Sequence, residues 1–243
     1  MNSVTKTSRI LGVAFLLQFV TSFVNNVFIL PQVTGSSAMS APGNFAENLV
    51  HIADNIWLLR ITILLDMFTA LGVVFLGAML FLTLRKENEK IALTALGFYI
   101  LEAALLGASK LDTFALLRIS QEYTAAGQPD NLLLMAQISF ESMNFVGGTL
   151  HSLAFCLGAT LFYYLLDQSR LVPRALSLWG LITVLPILFG TLLAILGYEI
   201  PFIFYVPYVP FEFVIGLWIL VKGINIQQQD DLTVQPALLK GGL

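Results

Sequence analysis

From Ile61 to Leu84 the chain reads ITILLDMFTALGVVFLGAMLFLTL, 24 residues in which Asp66 is the single charge. A stretch this long and apolar satisfies the roughly 20 residues a helix needs to cross bilayer hydrocarbon. Five other stretches share its character: Ile10 to Pro31, Ile91 to Thr113, Phe140 to Leu166, Ala175 to Tyr198 and Phe202 to Val221. All should be helices, because an isolated strand cannot satisfy its backbone in lipid. The fold class expected is all-α: a polytopic membrane protein with six transmembrane helices.

Composition points the same way. Of 243 residues, 57% are apolar and 11% charged, against roughly 25% charged in an ordinary soluble domain. Mean hydropathy is +0.84. These values exclude a soluble globular enzyme, a disordered chain and a nucleic-acid binder with its basic surface. The net charge of −3 implies neither an acidic nor a basic partner.

Lysine and arginine set the orientation. With the N-terminus inside, the inner segments hold Lys6, Arg9, Arg85, Lys86, Lys90, Arg170, Arg174, Lys222 and Lys240. The outer side keeps Arg60, Lys110 and Arg118. Both termini are therefore expected in the cytoplasm. Lys6 and Arg9 before an apolar core imitate a secretory signal, but Phe23-Val24-Asn25-Asn26 stands where a cleavage site would be. The first segment reads as a retained span.

The inner loops, Arg85 to Lys90 and Asp167 to Arg174, are short. The outer connections are not. Gln32 to Gly43 is small and polar, a flexible loop. Asn44 and Glu47 then make a capping box. Phe45, Leu49, Ile52, Ile56 and Leu59 recur at helical spacing behind it, predicting an amphipathic helix over 44–60 that runs into the second span with a bend near Trp57 and Arg60. Leu111 to Tyr123 keeps a helical pattern as far as the breaker Gly127-Gln128-Pro129-Asp130. Helices two to four should thus extend about 10 to 15 residues on the outer side, roughly 15 to 22 Å. One transmembrane domain is expected over 1–225, followed by a polar, disordered cytoplasmic tail over 226–243.

Cys156 is the sole cysteine, and His51 and His151 lie on different segments. That count excludes a disulfide framework and a cysteine metal cluster, argues against a bis-histidine haem and rules out two haems on histidine ligands alone. Ionisable groups inside spans cost about 2.5 to 3.5 kcal/mol each at the centre, so each asks for a reason. Glu102, His151 and Glu212 fall near mid-membrane, and Asp66 lies about 9 Å inward of Arg60. Nearer the outer face are Arg60, Lys110, Asp112, Arg118 and Glu141.

These residues sit on stripes. Helix four carries Gln137, Glu141, Asn144, Gly148, His151, Ser152 and Phe155 at three- and four-residue spacing. Helix six carries Tyr205, Tyr208, Glu212 and Gly216, helix two Thr62, Asp66 and Thr69, and helix one Gln18, Ser22, Asn25 and Asn26. Such stripes imply one shared polar interior. Interhelical hydrogen bonds at about 0.6 kcal/mol each explain Asn25, Asn26 and Ser152 as packing. Carboxylates exceed what packing needs. The candidate ligand- or proton-binding residues are therefore Asp66, Glu102, His151, Glu212, Asn144 and Tyr208. Arg60, Lys110, Asp112, Arg118 and Glu141 form either an ion-paired rim or an outer mouth that attracts a head group. No cofactor is expected and no metal is favoured, since no H-x-x-x-H or H-E-x-x-H spacing occurs. A divalent ion would take Glu102, His151 and Glu212, with Asp66 in reach.

The second half carries a family pattern. Thr160-Leu161-Phe162-Tyr163-Tyr164-Leu165-Leu166, Arg170-Leu171-Val172-Pro173-Arg174 and Trp179-Gly180 form one part. Phe211-Glu212-Phe213 leading to Gly216-Leu217-Trp218-Ile219-Leu220-Val221-Lys222-Gly223 forms the other, with Ile91-Ala92-Leu93 and Leu101-Glu102-Ala103 upstream. Over about residues 8 to 225 the chain resembles a bacterial integral membrane family, domain of unknown function four-three-eight-six. The resemblance implies a bacterial inner-membrane bundle and points to Glu102, His151, Arg174 and Glu212. It supplies no activity or ligand.

The function expected is binding or transport of a small amphiphilic, lipid-like ligand in a polar-lined intramembrane cavity, with proton linkage through Glu102 or Glu212. Membrane lipids are the expected surroundings and nucleic acid is not a partner. The alternatives are an intramembrane metal-dependent lipid hydrolase using Asp66, Glu102, His151 and Glu212, and a structural or accessory membrane subunit.

Overall fold

In a computed structural model of the protein, residues 3–34, 45–198 and 202–224 are described, and every regular element among them is helical. The first helix, α1 (Ser3–Phe23), passes through a π turn (Val24–Ile29) into the short α2 (Leu30–Thr34). Then come α3 (Phe45–Asp54), α4 (Ile56–Leu84), α5 (Glu89–Ala125) and α6 (Asp130–Asn144). A second π turn (Phe145–Leu150) joins α6 to α7 (His151–Ser169), followed by α8 (Arg174–Ile195) and α9 (Val209–Lys222). Gln32 to Thr34, expected as the start of the flexible loop, are instead the end of the helix α2; Gly35 to Asn44, with the rest of that loop and the asparagine of the capping box, lies outside the described residues, as does the tail from 225.

Local chemistry explains the boundaries. Asn88 caps α5 by accepting the Ile91 amide at 3.1 Å. At its far end Gly127 takes φ +78, and the Gln128 amide returns to the Tyr123 carbonyl at 2.8 Å. Pro129, extended at φ −76 and ψ 144, then starts α6. Pro173 opens α8 in the same way.

Five helices are long and apolar enough to cross a membrane: Arg9–Val33, Ile56–Leu84, Glu89–Ala125, Asp130–Ser169 and Arg174–Ile195. The stretch expected as a sixth span, Phe202 to Val221, differs. It is a 3-10 turn at Phe202–Phe204 and then α9, a helix of 14 residues, or about 21 Å. Pro207, just before α9, supplies no amide hydrogen and interrupts the helix, whereas Pro210 sits in the first turn of α9, where none is required.

The amphipathic reading of α3 holds: Phe45, Leu49 and Ile52 are buried. The bend falls at Asn55, between α3 and α4, slightly before the expected position. Those three side chains share a core with Val33, Leu59, Leu116, Leu117, Tyr123 and Ala136. The parts of α4, α5 and α6 expected beyond the outer membrane face thus have an apolar core of their own. His51 Nε2 lies 2.8 Å from the Gln32 carbonyl oxygen and ties α3 to the end of the first span.

By proximity the chain divides into two compact units. One comprises Met1–Leu16, Val74–Ile100 and Phe155–Leu243; the other comprises Leu17–Val73 and Leu101–Ala154. In the first, α1 and α9 meet closely at Gly12, where a Cβ would stand 2.5 Å from the Leu220 backbone nitrogen. Gly180 likewise leaves room for the Phe211 ring, which a Cβ would approach to 2.4 Å. Small residues at such crossings let membrane helices pack backbone to backbone.

Candidate polar site in the membrane helices

In the second unit three segments converge on Asp66. The aspartate stands on α4 and is buried. Its Oδ1 accepts a hydrogen bond from Asn25 Nδ2 at 2.7 Å. Its Oδ2 is ion-paired with the Lys110 ammonium, which comes from α5. The two charged side chains are only 12% (Lys110) and 9% (Asp66) exposed. One turn along α4, the Thr69 hydroxyl lies 2.8 Å from the Thr21 hydroxyl.

Eight residues before Lys110 on the same helix, Glu102 faces His151, with 3.5 Å between Oε1 and Nε2. Glu102 is 3% exposed and His151 24%. Over residues 61–84, 91–113 and 140–166 Lys110 is the one lysine or arginine, against Asp66, Glu102, Asp112 and Glu141. Lys110 and Asp66 neutralise each other, which is how buried charge is tolerated in a membrane.

Both π turns adjoin this cluster. Asn25 lies inside the first, and His151 follows directly on the second. A π turn inserts extra backbone into a helix and re-aims the side chains beyond it, a device common at functional sites. Two acceptor atoms on the α1 side, Gln18 Oε1 and Asn25 Oδ1, are buried with no donor among the described residues.

The first unit holds a different arrangement. Tyr208, at the N-terminus of α9, donates to Glu212 Oε1 at 2.9 Å. Its hydroxyl also lies 2.6 Å from that of Tyr163 on α7. Aromatic rings surround this chain: Phe155 meets Tyr208 edge-on at 5.3 Å, and Phe211 meets Tyr163 at 5.0 Å and Trp179 at 5.9 Å. Trp179 Nε1 donates to the Pro207 carbonyl at 3.1 Å and fixes the entry to α9.

The sequence-derived candidates therefore sort into groups. Asp66, Glu102, Lys110 and His151 come together in pairs within one unit. Glu212 and Tyr208 belong to the other. Asn144 and Glu141 are exposed on α6, and Arg60 is exposed on α4. Asp112 accepts from the Ser142 hydroxyl at 2.7 Å. Arg118 contacts Glu122 at 3.9 Å and Gln121 at 3.3 Å, all on α5. Of the rim residues, Asp112 thus joins α5 to α6, Arg118 stays within α5 and Lys110 is committed to Asp66. Among the described residues no three histidine, cysteine, aspartate or glutamate side chains are grouped to hold a metal ion. Tyr163 and Gln18 were not singled out from the sequence as site residues. The Lys110–Asp66 pairing was legible in principle, since the sequence reading sets both toward the same expected membrane face.

These features define an all-helical protein with five helices able to cross a membrane and ionisable groups buried among them. The chain belongs to the family described as Domain of unknown function (DUF4386), whose model matches residues 10–223. No curated protein and no solved structure matches it.

Proposed function

We propose that the protein is a multi-pass protein of the bacterial inner membrane that binds or transports a small amphiphilic, lipid-like ligand. In this reading the chain crosses six times, α9 and the turn before it making the last crossing, and both termini are cytoplasmic. The observation that carries the reading is the buried cluster of Asn25, Asp66 and Lys110 beside Glu102 and His151. Packing alone is served by contacts of about 0.6 kcal/mol, whereas each buried charge costs several times that on insertion. Lys110 suits an anionic head group and Asp66 a cationic one, each by exchanging its present partner for the ligand. The acceptors Gln18 Oε1 and Asn25 Oδ1 would take donors from the same head group. Apolar side chains exposed on the surrounding helices suit the tail. The hydrolase alternative has no ligand grouping to build on among the described residues.

The test is to extract the protein in native lipid nanodiscs and identify retained amphiphiles by mass spectrometry. The proposal expects one class enriched over bulk membrane in the wild type and in the loop variant Lys86→Ala. Lys110→Met should lose the enrichment while keeping its helical circular-dichroism spectrum. Wild-type lipid content indistinguishable from bulk membrane would overturn the proposal in favour of an accessory subunit.

A further inference from the structure

Between Arg174 and Lys222 the sequence has two charges, Glu199 and Glu212. The other apolar stretches of the first unit, residues 10–16, 74–84, 91–100 and 155–166, have none. Among the described residues no lysine, arginine or histidine lies within the 4.0 Å ion-pair distance of Glu212. Tyr208 gives its carboxylate a hydrogen bond but no charge. A carboxylate among apolar helices calls for a cation, and the described residues of this unit bring none to it. Asp66, in the second unit, has Lys110 for that purpose.

What accompanies the carboxylate instead is aromatic. Tyr208, whose hydroxyl holds Glu212 Oε1 at 2.9 Å, has the Phe155 ring edge-on at 5.3 Å and the Phe211 ring at 5.6 Å. Trp179 follows at 5.9 Å from Phe211. The face of an aromatic ring carries negative charge density and attracts a cation within about 6 Å of its centre. Tyr208 and Phe211 are buried, whereas Glu212, Phe155 and Trp179 are half-buried. The carboxylate and two of the rings therefore keep open surface. Beside them on α9 Phe213, Leu217 and Val221 are exposed at intervals of four, which makes the approach apolar.

We propose that Glu212, Tyr208, Phe155 and Trp179 form a binding site for a lipophilic organic cation, an ammonium or phosphonium ion that carries apolar groups. Its charge pairs with the Glu212 carboxylate, and its apolar groups lie against the rings. A metal ion is poorly served here, because it needs several oxygen ligands in place of its water. Among the described residues no group of three histidine, cysteine, aspartate or glutamate side chains offers them. A tetrasubstituted onium ion needs no such set, since it has no tightly held water to replace and aromatic rings suffice to hold it. Tyr208 keeps the carboxylate in place through its hydroxyl. The site stands on the first unit alone, so it holds whether or not the second unit takes a ligand.

Tetraphenylphosphonium and tetraphenylborate, which share a shape and differ in the sign of their charge, are the probes. Each is titrated calorimetrically into the full chain in a non-ionic detergent. The expected result is saturable binding of the phosphonium and none of the borate. Glu212→Gln still accepts the Tyr208 hydrogen bond and should weaken phosphonium binding about tenfold. Phe155→Leu keeps the carboxylate, removes one ring and should weaken it about threefold. The loop variant Lys86→Ala should bind as wild type. Should Glu212→Gln fail to fold, the opposed probes and Phe155→Leu carry the test. Phosphatidylcholine added to the micelles separates two sources of the same chemistry: a lipid head group displaces the phosphonium, whereas a site for free cations retains it. No saturable phosphonium binding, equal binding of both probes, or Glu212→Gln and Phe155→Leu both behaving as wild type would overturn the site.

Discussion

Lys110→Met leaves the Asp66 carboxylate buried with Asn25 as its remaining hydrogen-bond partner. Removing one member of a buried ion pair typically costs about 3 to 5 kcal/mol. Here the Asn25 amide stays, and a hydrogen bond to a charged group is worth about 1.5 to 3 kcal/mol. The expected loss therefore lies at the low end, about 3 kcal/mol. Asp66→Asn should cost less, about 1 to 2 kcal/mol, because its amide oxygen still accepts from Asn25. Its orphaned lysine also has a long flexible stem that lets the ammonium turn away from the pair. Replacing both partners removes both buried charges, so Asp66→Asn/Lys110→Met should recover to within about 1 kcal/mol of wild type.

Thermal unfolding in detergent, followed by tryptophan fluorescence, measures these differences. For a chain of this size about 1 kcal/mol corresponds to roughly 2 to 4 °C. Lys110→Met should thus melt about 6 to 12 °C below wild type, with most of that restored in the double variant. A Lys110→Met protein within about 2 °C of wild type would refute the buried-pair reasoning. So would a double variant less stable than either single one, because the pair would then not be the interacting unit.

Gly12→Ala, whose Cβ would meet the Leu220 backbone nitrogen at 2.5 Å, should lose about 2 to 3 kcal/mol in the same assay. Gly148→Ala, with nothing within 4 Å of its Cβ, should stay within about 1 kcal/mol of wild type. In a Cys156→Ser background, an impermeant thiol reagent added to intact cells should label Glu122→Cys and spare Lys86→Cys; the reverse pattern would invert the proposed orientation. Gln18→Leu removes a buried acceptor that has no donor among the described residues. It should raise stability by about 1 to 2 kcal/mol and lower amphiphile retention, as mass spectrometry of the nanodiscs would report.

The helical class, the five long spans and the buried face of α3 were legible because each rests on a single periodicity or length. The polar stripe of helix four was legible only in part. Its residues from Gln137 to Phe155 share a face if the helix turns every 3.6 residues throughout. The π turn at Phe145–Leu150 breaks that register, so Asn144 is exposed while His151 reaches Glu102. Sequence patterns do not announce π turns, since their extra residue depends on what the neighbouring helices require. Gly147 illustrates this: a Cβ there would stand 2.5 Å from Ser109 Oγ, so the close passage of α5 sets the requirement. Tyr163 was hidden differently, as one aromatic among many in an apolar run whose hydroxyl acquires meaning only beside Tyr208.

Whether the second unit's polar groups are packing or a binding site turns on how completely they satisfy one another. A network that exists to hold helices together gains most when every buried donor and acceptor is paired, because each orphan costs about 1 to 3 kcal/mol. Asp66 meets that standard: Asn25 and Lys110 take its two oxygens. Gln18 Oε1 and Asn25 Oδ1 do not. They lie seven residues apart on the first span, both on its buried side and both in the same unit as Asp66. Leucine at position 18 would fill that space at no polar cost, so stability alone gives no reason for glutamine. A donor-bearing ligand does give one, because the orphaned acceptors become its contacts and their cost in the empty protein becomes affinity. Gln18→Leu separates the two accounts: packing predicts loss of stability, and a binding site predicts stability gained at the expense of the ligand.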